Sequence, residues 1–559
     1  MSTFKERLAK LSPEKQKLLL SQLQKQKKKE PSEERILPRT REKGANSFAL
    51  SYPQQRMFTI AQLMPGDTSY SVPLHFRFQG KLNTTALKYS LKQIAQKHEI
   101  LRTTFHLEAG ESRQVIYPEL TIDIPVTDLQ NLSPEKQEAQ AQRLLQEDIQ
   151  CPFDLAKLPL WRVKLLKLAE QNHILILNIH HIIFDGWSVG VFIREIKDFY
   201  EGYLAQKNPE QEKLPIQYVD YALWQKERLK GQFLTSKLDY WQQQLQGLLP
   251  LQLPTQLSSQ SQTTGGTIVP LDFSETLSYR LKQLNLCEGT TSNILLLTTF
   301  FILLGRYSNQ DDVAVGSVIA NRNYKELEQL IGFFVNTLVL RVDLSDNPKF
   351  LDLLARVKTI VLEGYEHREV PFDLLVDKLN PQRDVQQNPL VQVGFAFQNA
   401  PIPVFKMGGL CIESIEVDNV LSNARFDLEL HLWEGQKGIE GVLVYKQERF
   451  SATAIASMAS HYRTLLEAIV AAPSQRIKQL PIMTEAAQHK LLVEWNKTSK
   501  DYLSDQCIHQ LFESQVEKTP DAVMDGVLHL PGIVCRSEFC LGGLPVRALR
   551  KGRACPGLF

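Results

Sequence analysis

Residues 173–203 read HILILNIHHIIFDGWSVGVFIREIKDFYEGY, and the fold turns on how this stretch is read. His173 to Ile179 is a short run made mostly of Ile and Leu, which predicts a central strand that is apolar on both faces. The run ends in His180-His181. Asp185-Gly186 then predicts a turn, and Trp187-Ser188 opens a helix carrying Val189, Phe192, Ile193, Ile196, Phe199 and Tyr200 at helical spacing. Two histidines therefore stand where a buried strand meets a loop, a common place for catalytic groups. A lone strand histidine is more often a satisfied core residue, but a doubled histidine followed by Asp-Gly at a strand end favours chemistry. His181 and Asp185 are four apart, which suits metal ligation on a helix. The preceding strand and Gly186 argue against a helix here, and no H-E-x-x-H is present.

Outward from this stretch the chain reads as a mixed α/β layer structure. Val72 to Phe78 and Ile174 to Ile179 are candidate strands, and Leu87 to His98 and Val189 to Tyr203 candidate amphipathic helices. The polar run QLSSQSQTTGG at 256–266 reads as a surface loop or a join between two halves, and a second α/β stretch follows from about 270 to 470. Near the start, Ser12-Pro13-Glu14 is a helix opening with Ser12 as N-cap, and that helix runs into Lys25, Lys27, Lys28 and Lys29. A solvated helix end is the expectation there, ahead of a docking segment for another protein. Residues 30–46, with Pro31, Pro38 and Gly44, read as a linker.

The 559 residues exceed one core, and 43% apolar with 23% charged residues is ordinary for a soluble globular protein. A net charge of +2 asks for no nucleic-acid partner. Cys151, Cys287, Cys411, Cys507, Cys535, Cys540 and Cys555 form no C-x-x-C pair, which fits a reduced, cytoplasmic setting. The charged start lacks a secretory signal, and the greasiest run, Ile294 to Leu304, is shorter than the roughly 20 residues of a membrane span. It reads as a buried helix, with no membrane partner.

HHIIFDGWS at 180–188 resembles the H-H-x-x-x-D-G motif of nonribosomal peptide synthetase condensation domains, a motif shared in looser form with chloramphenicol acetyltransferase and other acyltransferases of that fold. Further segments resemble the family's other motifs in the same order: SYPQQRMF at 51–58, with Pro53 where Ala is usual; KHEILRTTF at 97–105, with Lys97 for Arg; YVDYALWQ at 218–225; IGFFVNTLVLR at 331–341; EHREVPF at 366–372; and RDVQQNPLVQVGFAFQN at 383–399. The resemblance covers about residues 47–475 and implies an α/β fold of two chloramphenicol-acetyltransferase-like lobes arranged as a V, a pseudo-dimer, with the active site between them. The organisation expected is an N-terminal helix and linker (1–46), an N-lobe (47–225), a C-lobe (226–475), a linker and truncated adenylation-domain start (476–523), and a tail (524–559). The tail has six glycines and three cysteines with no sustained period, and reads as aberrant, unfolded sequence. ATP binding is not expected.

The function implied is amide-bond formation between a donor acyl or peptidyl thioester and an acceptor aminoacyl thioester. Both would be carried on phosphopantetheine arms of upstream and downstream peptidyl carrier proteins, among other synthetase modules, with no cofactor bound permanently. Trp187-Ser188 directly after Asp185-Gly186 resembles the peptide-bond-forming subtypes, and residues 62–80 look most like domains joining an L-configured donor to an L-configured acceptor. His181 is the expected catalytic group, as base or as positioning hydrogen-bond acceptor. His180, facing the other side of the strand end, is expected to be structural. The family pairs Asp185 with a buried arginine, for which Arg102 and Arg322 are the candidates. Gly186 is expected to allow close backbone approach or positive φ. Asn336 reads as a tunnel contact or a turn-satisfying residue, and Trp224 as core packing. A non-catalytic carrier-docking fragment and a stand-alone acyltransferase using coenzyme A are the alternatives.

Overall fold

In the computed structural model, the strand Asn172–His180 is buried from His173 onward, and its period of two divides its side chains between two cores. Leu175, Leu177 and Ile179 join one cluster with Leu87, Leu91 and Ile94 of the helix Thr84–Lys97 and with Val191, Phe192, Ile196 and Tyr200 of the helix Gly186–Leu204. Ile174 and Ile176 face the other way, against Leu166, Leu168 and, from the helix Pro134–Ile149, Ala141 and Leu145. Burying an aliphatic side chain fully contributes about 1.5–3 kcal/mol, so a strand gripped on both faces holds its C-terminal end, and the two histidines there, firmly. The residues described are 35–39, 46–207, 213–255, 266–379, 390–398, 405–415, 424–435, 438–498, 508–519, 528–530 and 533–535.

Strands Ser71–Gln79 and Trp161–Ala169 flank the central strand antiparallel, within a six-stranded sheet. Two of its strands come from far along the chain: Phe405–Met407 and Leu410–Ser414 form a hairpin through Gly408 and Gly409, and the second arm pairs with Ser71–Gln79. Both glycines have positive φ, +55° and +87°, which the tight turn requires. A Cβ at Gly408 would also lie 2.7 Å from the ring of Tyr200.

The second half builds its own six-stranded mixed sheet, in the order Asn336–Asp343, Asp312–Ile319, Val393–Gln398, Leu428–Gly435, Gly438–Lys446, Gly266–Asp272. Helices Ser292–Ser308, Phe350–Glu366 and Ala452–Ala471 contribute to the core on one face, and every residue from Ile294 to Leu304 is buried, as the sequence leads one to expect. No single helix among the described residues is long and apolar enough to cross a membrane. Helices Glu275–Cys287 and Ser292–Ser308 reach that length only together, and they meet at 106°.

The chain divides into two compact units, residues 1–484 and 485–559. Both sheets lie in the first, where Ile477 and Leu480 belong to the second core and Ile36, in the stretch read as linker, is buried in the first. The second unit contains the helix Ile508–Lys518 and a short antiparallel pair, Leu528–Leu530 with Ile533–Cys535. The helix expected from Ser12 and the polar run at 256–265 lie outside the described residues.

Candidate active site

His180 and His181 end the central strand and open a short 3-10 turn, His181–Ile183. Main-chain bonds fix the turn: His181 N–H donates to the Tyr70 carbonyl at 2.7 Å, and Phe184 N–H to the His181 carbonyl at 3.1 Å. The rings have different surroundings. His180 Nδ1 accepts from Ile182 N–H at 3.1 Å, and its ring meets Phe153 edge-on at 5.9 Å. Both contacts hold the His180 ring in place. Burial pushes its pKa down to about 4, against a weaker pull from Asp67.

His181 packs edge-on against Phe333, a residue of the second half, with ring centroids 4.9 Å apart. Its Nδ1 is buried without a hydrogen-bond partner among the described residues. Burial pushes the pKa down to about 3, and the positive charge of Arg425 adds to the effect. Both effects favour the neutral imidazole. A buried, unpaired polar atom costs about 1–3 kcal/mol and calls for an explanation.

Asp185 caps the helix Gly186–Leu204 and is fully buried. Its Oδ1 accepts from Ser188 N–H at 2.8 Å, from Ser188 Oγ at 2.7 Å and from Arg322 Nη2 at 2.9 Å; Oδ2 accepts from Phe334 N–H at 3.1 Å. Of the two candidate arginines the partner is Arg322, whose Nη1 also donates to the carbonyls of Leu327 and Leu330 at 2.5 and 2.6 Å. Arg102 is engaged elsewhere, donating to the Tyr117 carbonyl and lying 3.8 Å from Glu99. Ser188 Oγ accepts from Gly332 N–H at 3.1 Å, and Trp187 Nε1 donates to the Glu328 carbonyl at 3.0 Å. The Asp-Gly turn thus reaches from the first half to residues 322–334 of the second.

One expectation needs correction, and of the two readings left open for Asn336 the contacts match one. Gly186 is the first residue of the helix without positive φ, and a Cβ there would meet no atom within 4 Å, so neither close approach nor backbone strain explains it. Asn336 spends its whole amide on one bend: Nδ2 donates to the carbonyls of Arg368 and Val370, and Oδ1 accepts from Phe372 N–H. It is the turn-satisfying residue rather than a tunnel contact. Trp224 is half-buried against the first core and meets Tyr324 edge-on at 4.9 Å, consistent with packing.

Sequence reasoning missed Phe333 and Arg425. Phe333 lies inside the motif at 331–341, but nothing local says that it reaches His181. Arg425 has no sequence signal; its place follows from Glu429, whose Oε1 accepts the main-chain N–H groups of Arg425 and Phe426. Among the described residues no group of three or more His, Cys, Asp or Glu is arranged to hold a metal ion.

The family described as Condensation domain matches residues 45–492. The chain is 40% identical over 492 residues to a linear gramicidin synthase of Brevibacillus parabrevis, covering 88% of this chain and 10% of that protein. It is 38% identical over 482 residues to the chondramide synthase cmdD of Chondromyces crocatus, covering 86% and 12%. The chain thus spans about a tenth of the length of these relatives. Among solved structures, the X-domain in complex with OxyB from teicoplanin biosynthesis has a TM-score of 0.71 at 26% identity, covering 81% of this chain and 99% of that one. The four-domain nonribosomal peptide synthetase AB3403 has a TM-score of 0.72 at 21% identity, covering 86% and 37%, a likeness of fold. With the paired histidines, the buried Asp185–Arg322 bridge and a family match over most of its length, this chain belongs to the condensation-domain family of nonribosomal peptide synthetases.

Proposed function

We propose that this chain forms an amide bond between two thioester-bound substrates presented on phosphopantetheine arms by an upstream and a downstream carrier protein. The acceptor's α-amine, as the free base, attacks the donor carbonyl. The C–N bond forms, the C–S bond breaks, and the departing sulfur takes up the proton that nitrogen sheds. A thioester is already activated, so the protein's work is to orient the two reactants and to accept a hydrogen bond in the right place.

The observation that carries the reading is His181: a neutral imidazole at the end of the central strand, with Nδ1 unpartnered and Phe333 of the second half against its ring. An imidazolium of pKa about 3 is too acidic to hold the proton of an alkylammonium. His181 therefore acts as a hydrogen-bond acceptor that aligns the amine lone pair, and not as the reservoir for its proton. Asp185, Arg322 and Ser188 hold the turn that follows; Gly186, exposed with open space before it, leaves room for a substrate arm. Arg102, Asn336 and Trp187 act as structural support.

The joining of an L-configured donor to an L-configured acceptor is the subtype we favour, supported by Trp187-Ser188 and residues 62–80. Residues 476–523 resemble the start of an adenylation domain, which would place the chain beside other synthetase modules. The cysteine usage fits work in the cytoplasm. The test is a single-turnover assay with donor- and acceptor-loaded carriers, product being detected by mass. The proposal expects amide product, lost about a hundredfold in His181→Ala. Absence of product from the parent chain, or product only from coenzyme A thioesters, overturns it.

A further inference from the structure

The segment Ile331–Phe334 belongs to the second half, yet its main chain is bonded at each residue to side chains of the first. Ile331 N–H donates to His98 Nδ1 at 3.3 Å. Gly332 N–H donates to Ser188 Oγ at 3.1 Å, while the Ser188 hydroxyl proton is spent on Asp185. The Phe333 carbonyl accepts from Tyr218 Oη at 2.6 Å, and Phe334 N–H donates to Asp185. The side chain in the middle of this segment is the one that lies on His181.

Two of these anchors lie outside the His-His-Asp-Gly turn, and each is itself held. Because His98 Nδ1 accepts, Nε2 must carry the proton, and it donates to Glu195 Oε2 at 2.8 Å; Lys97 takes Glu195 Oε1 at 2.7 Å. His98 and Glu195 are almost wholly buried, so the tautomer is fixed by a carboxylate that has no other place to go. Tyr218 is also buried. Its single hydroxyl proton is used on the Phe333 carbonyl, so Ser51 Oγ, 2.8 Å away, must donate to it. The fit over the tyrosine is tight, since a Cβ on Gly332 would lie 2.1 Å from Tyr218 Cδ2. Glycine at 332 is what lets the segment pass this ring.

We propose that His98 and Tyr218 are positioning residues for the His181 site: they hold Ile331–Phe334 by its main chain and so seat Phe333 on the His181 imidazole. Both act through Phe333 rather than on His181 directly. The hydrogen bonds have definite direction, so the segment has one register, and a shift of even 1 Å at the reacting groups can cost about a hundredfold in rate. Four of the family motifs, those containing Ser51, His98, His180 to Ser188 and Tyr218, thereby converge on a fifth, residues 331–341.

The inference rests on His181 acting in condensation, and the test separates the two. Three variants are made in the full chain: Tyr218→Phe, which removes one hydroxyl; His98→Gln, whose amide can replace the Nε2 contact to Glu195 but not the acceptor at Nδ1; and His98→Asn, which can replace that acceptor. Single-turnover rate, carrier KM, and amide hydrogen exchange of the peptide covering 331–334 are measured. The expected result is faster exchange and a rate loss of about ten- to a hundredfold in Tyr218→Phe and His98→Gln, with KM within about twofold. His98→Asn should recover both readouts to within about threefold of the parent. Faster exchange with an unchanged rate overturns the positioning role and leaves the His181 reading standing. Equal rate losses in His98→Asn and His98→Gln overturn it as well, because the acceptor at Nδ1 then does not matter. A parent chain without product refutes the condensation reading, while exchange still reports whether these side chains hold the segment.

Discussion

Replacing Asp185 with Asn preserves shape and removes one charge from a fully buried site. Asp185 and Arg322 are 0% and 1% exposed at the side chain, and they meet at 2.9 Å. Among the described residues, the other groups around the guanidinium are the carbonyls of Leu327 and Leu330, the Ser188 hydroxyl, and the rings of Phe334 at 4.1 Å and Trp187 at 5.9 Å, none of them an anion. Asp185→Asn therefore leaves a buried cation uncompensated, a loss of about 3–5 kcal/mol. The amide adds a second problem. The native carboxylate only accepts, from four donors. Whichever way the amide is turned, its NH2 faces Phe334 N–H or the Arg322–Ser188 pair. At about 1–2 °C per kcal/mol for a unit larger than 250 residues, the main melting transition should fall by roughly 3–10 °C. The assay is thermal unfolding followed by circular dichroism, with Arg322→Met and the double variant completing a cycle. The double variant should be more stable than Asp185→Asn alone, since it removes the stranded charge. A Tm for Asp185→Asn within about 1 °C of the parent refutes the reasoning.

Stability should also decline as the medium is acidified from neutrality. His180 and His181 have folded pKa values of about 4 and 3 against an ordinary 6.5, so the unfolded chain takes up protons that the folded one excludes. Their contribution is intact above 6.5 and is lost at up to about 1.4 kcal/mol per pH unit for each as pH falls below it; urea midpoints that do not move between pH 7.5 and 5 contradict this. Gly186→Ala should leave Tm unchanged or raised, because the added methyl meets nothing and alanine favours a helix by about 1 kcal/mol, whereas Gly332→Ala, aimed at the Tyr218 ring, should lower it by several degrees; equal melting temperatures count against both readings.

What could be read from the sequence was what is local. The alternation of Leu175, Leu177 and Ile179 against Ile174 and Ile176 is a pattern within one strand, and the structure sorts these residues into two cores accordingly. The helix that opens just after the Asp-Gly pair follows from a few consecutive residues, although the cap role of Asp185 was read as a turn. The choice between Arg102 and Arg322 did not follow, since Arg322 lies 137 residues from Asp185 and nothing near either arginine distinguishes them. The hairpin at Phe405–Ser414 has a local signal, Gly408-Gly409 between short β-prone runs. Its joining the first sheet rather than its own half's is a tertiary fact. Phe333 was hidden for the same reason: an apolar residue in an apolar motif says core, and only the partner 152 residues away makes it part of the site. Gly186 misled because Asp-Gly is a strong turn signal, yet here the aspartate is already the cap and the glycine is helical.

The central claim, that His181 works as a neutral imidazole seated under Phe333, is tested most directly by titrating it. Ring-13C histidine is incorporated into the full chain, the His181 resonance is assigned by its absence in His181→Asn, and its chemical shift is followed from pH 8 down to pH 5. The account predicts a shift that stays that of the neutral ring throughout, consistent with a pKa of about 3. A resonance that moves with a midpoint between about 6 and 7, the range of an unperturbed histidine, contradicts it and returns the role of general base to His181.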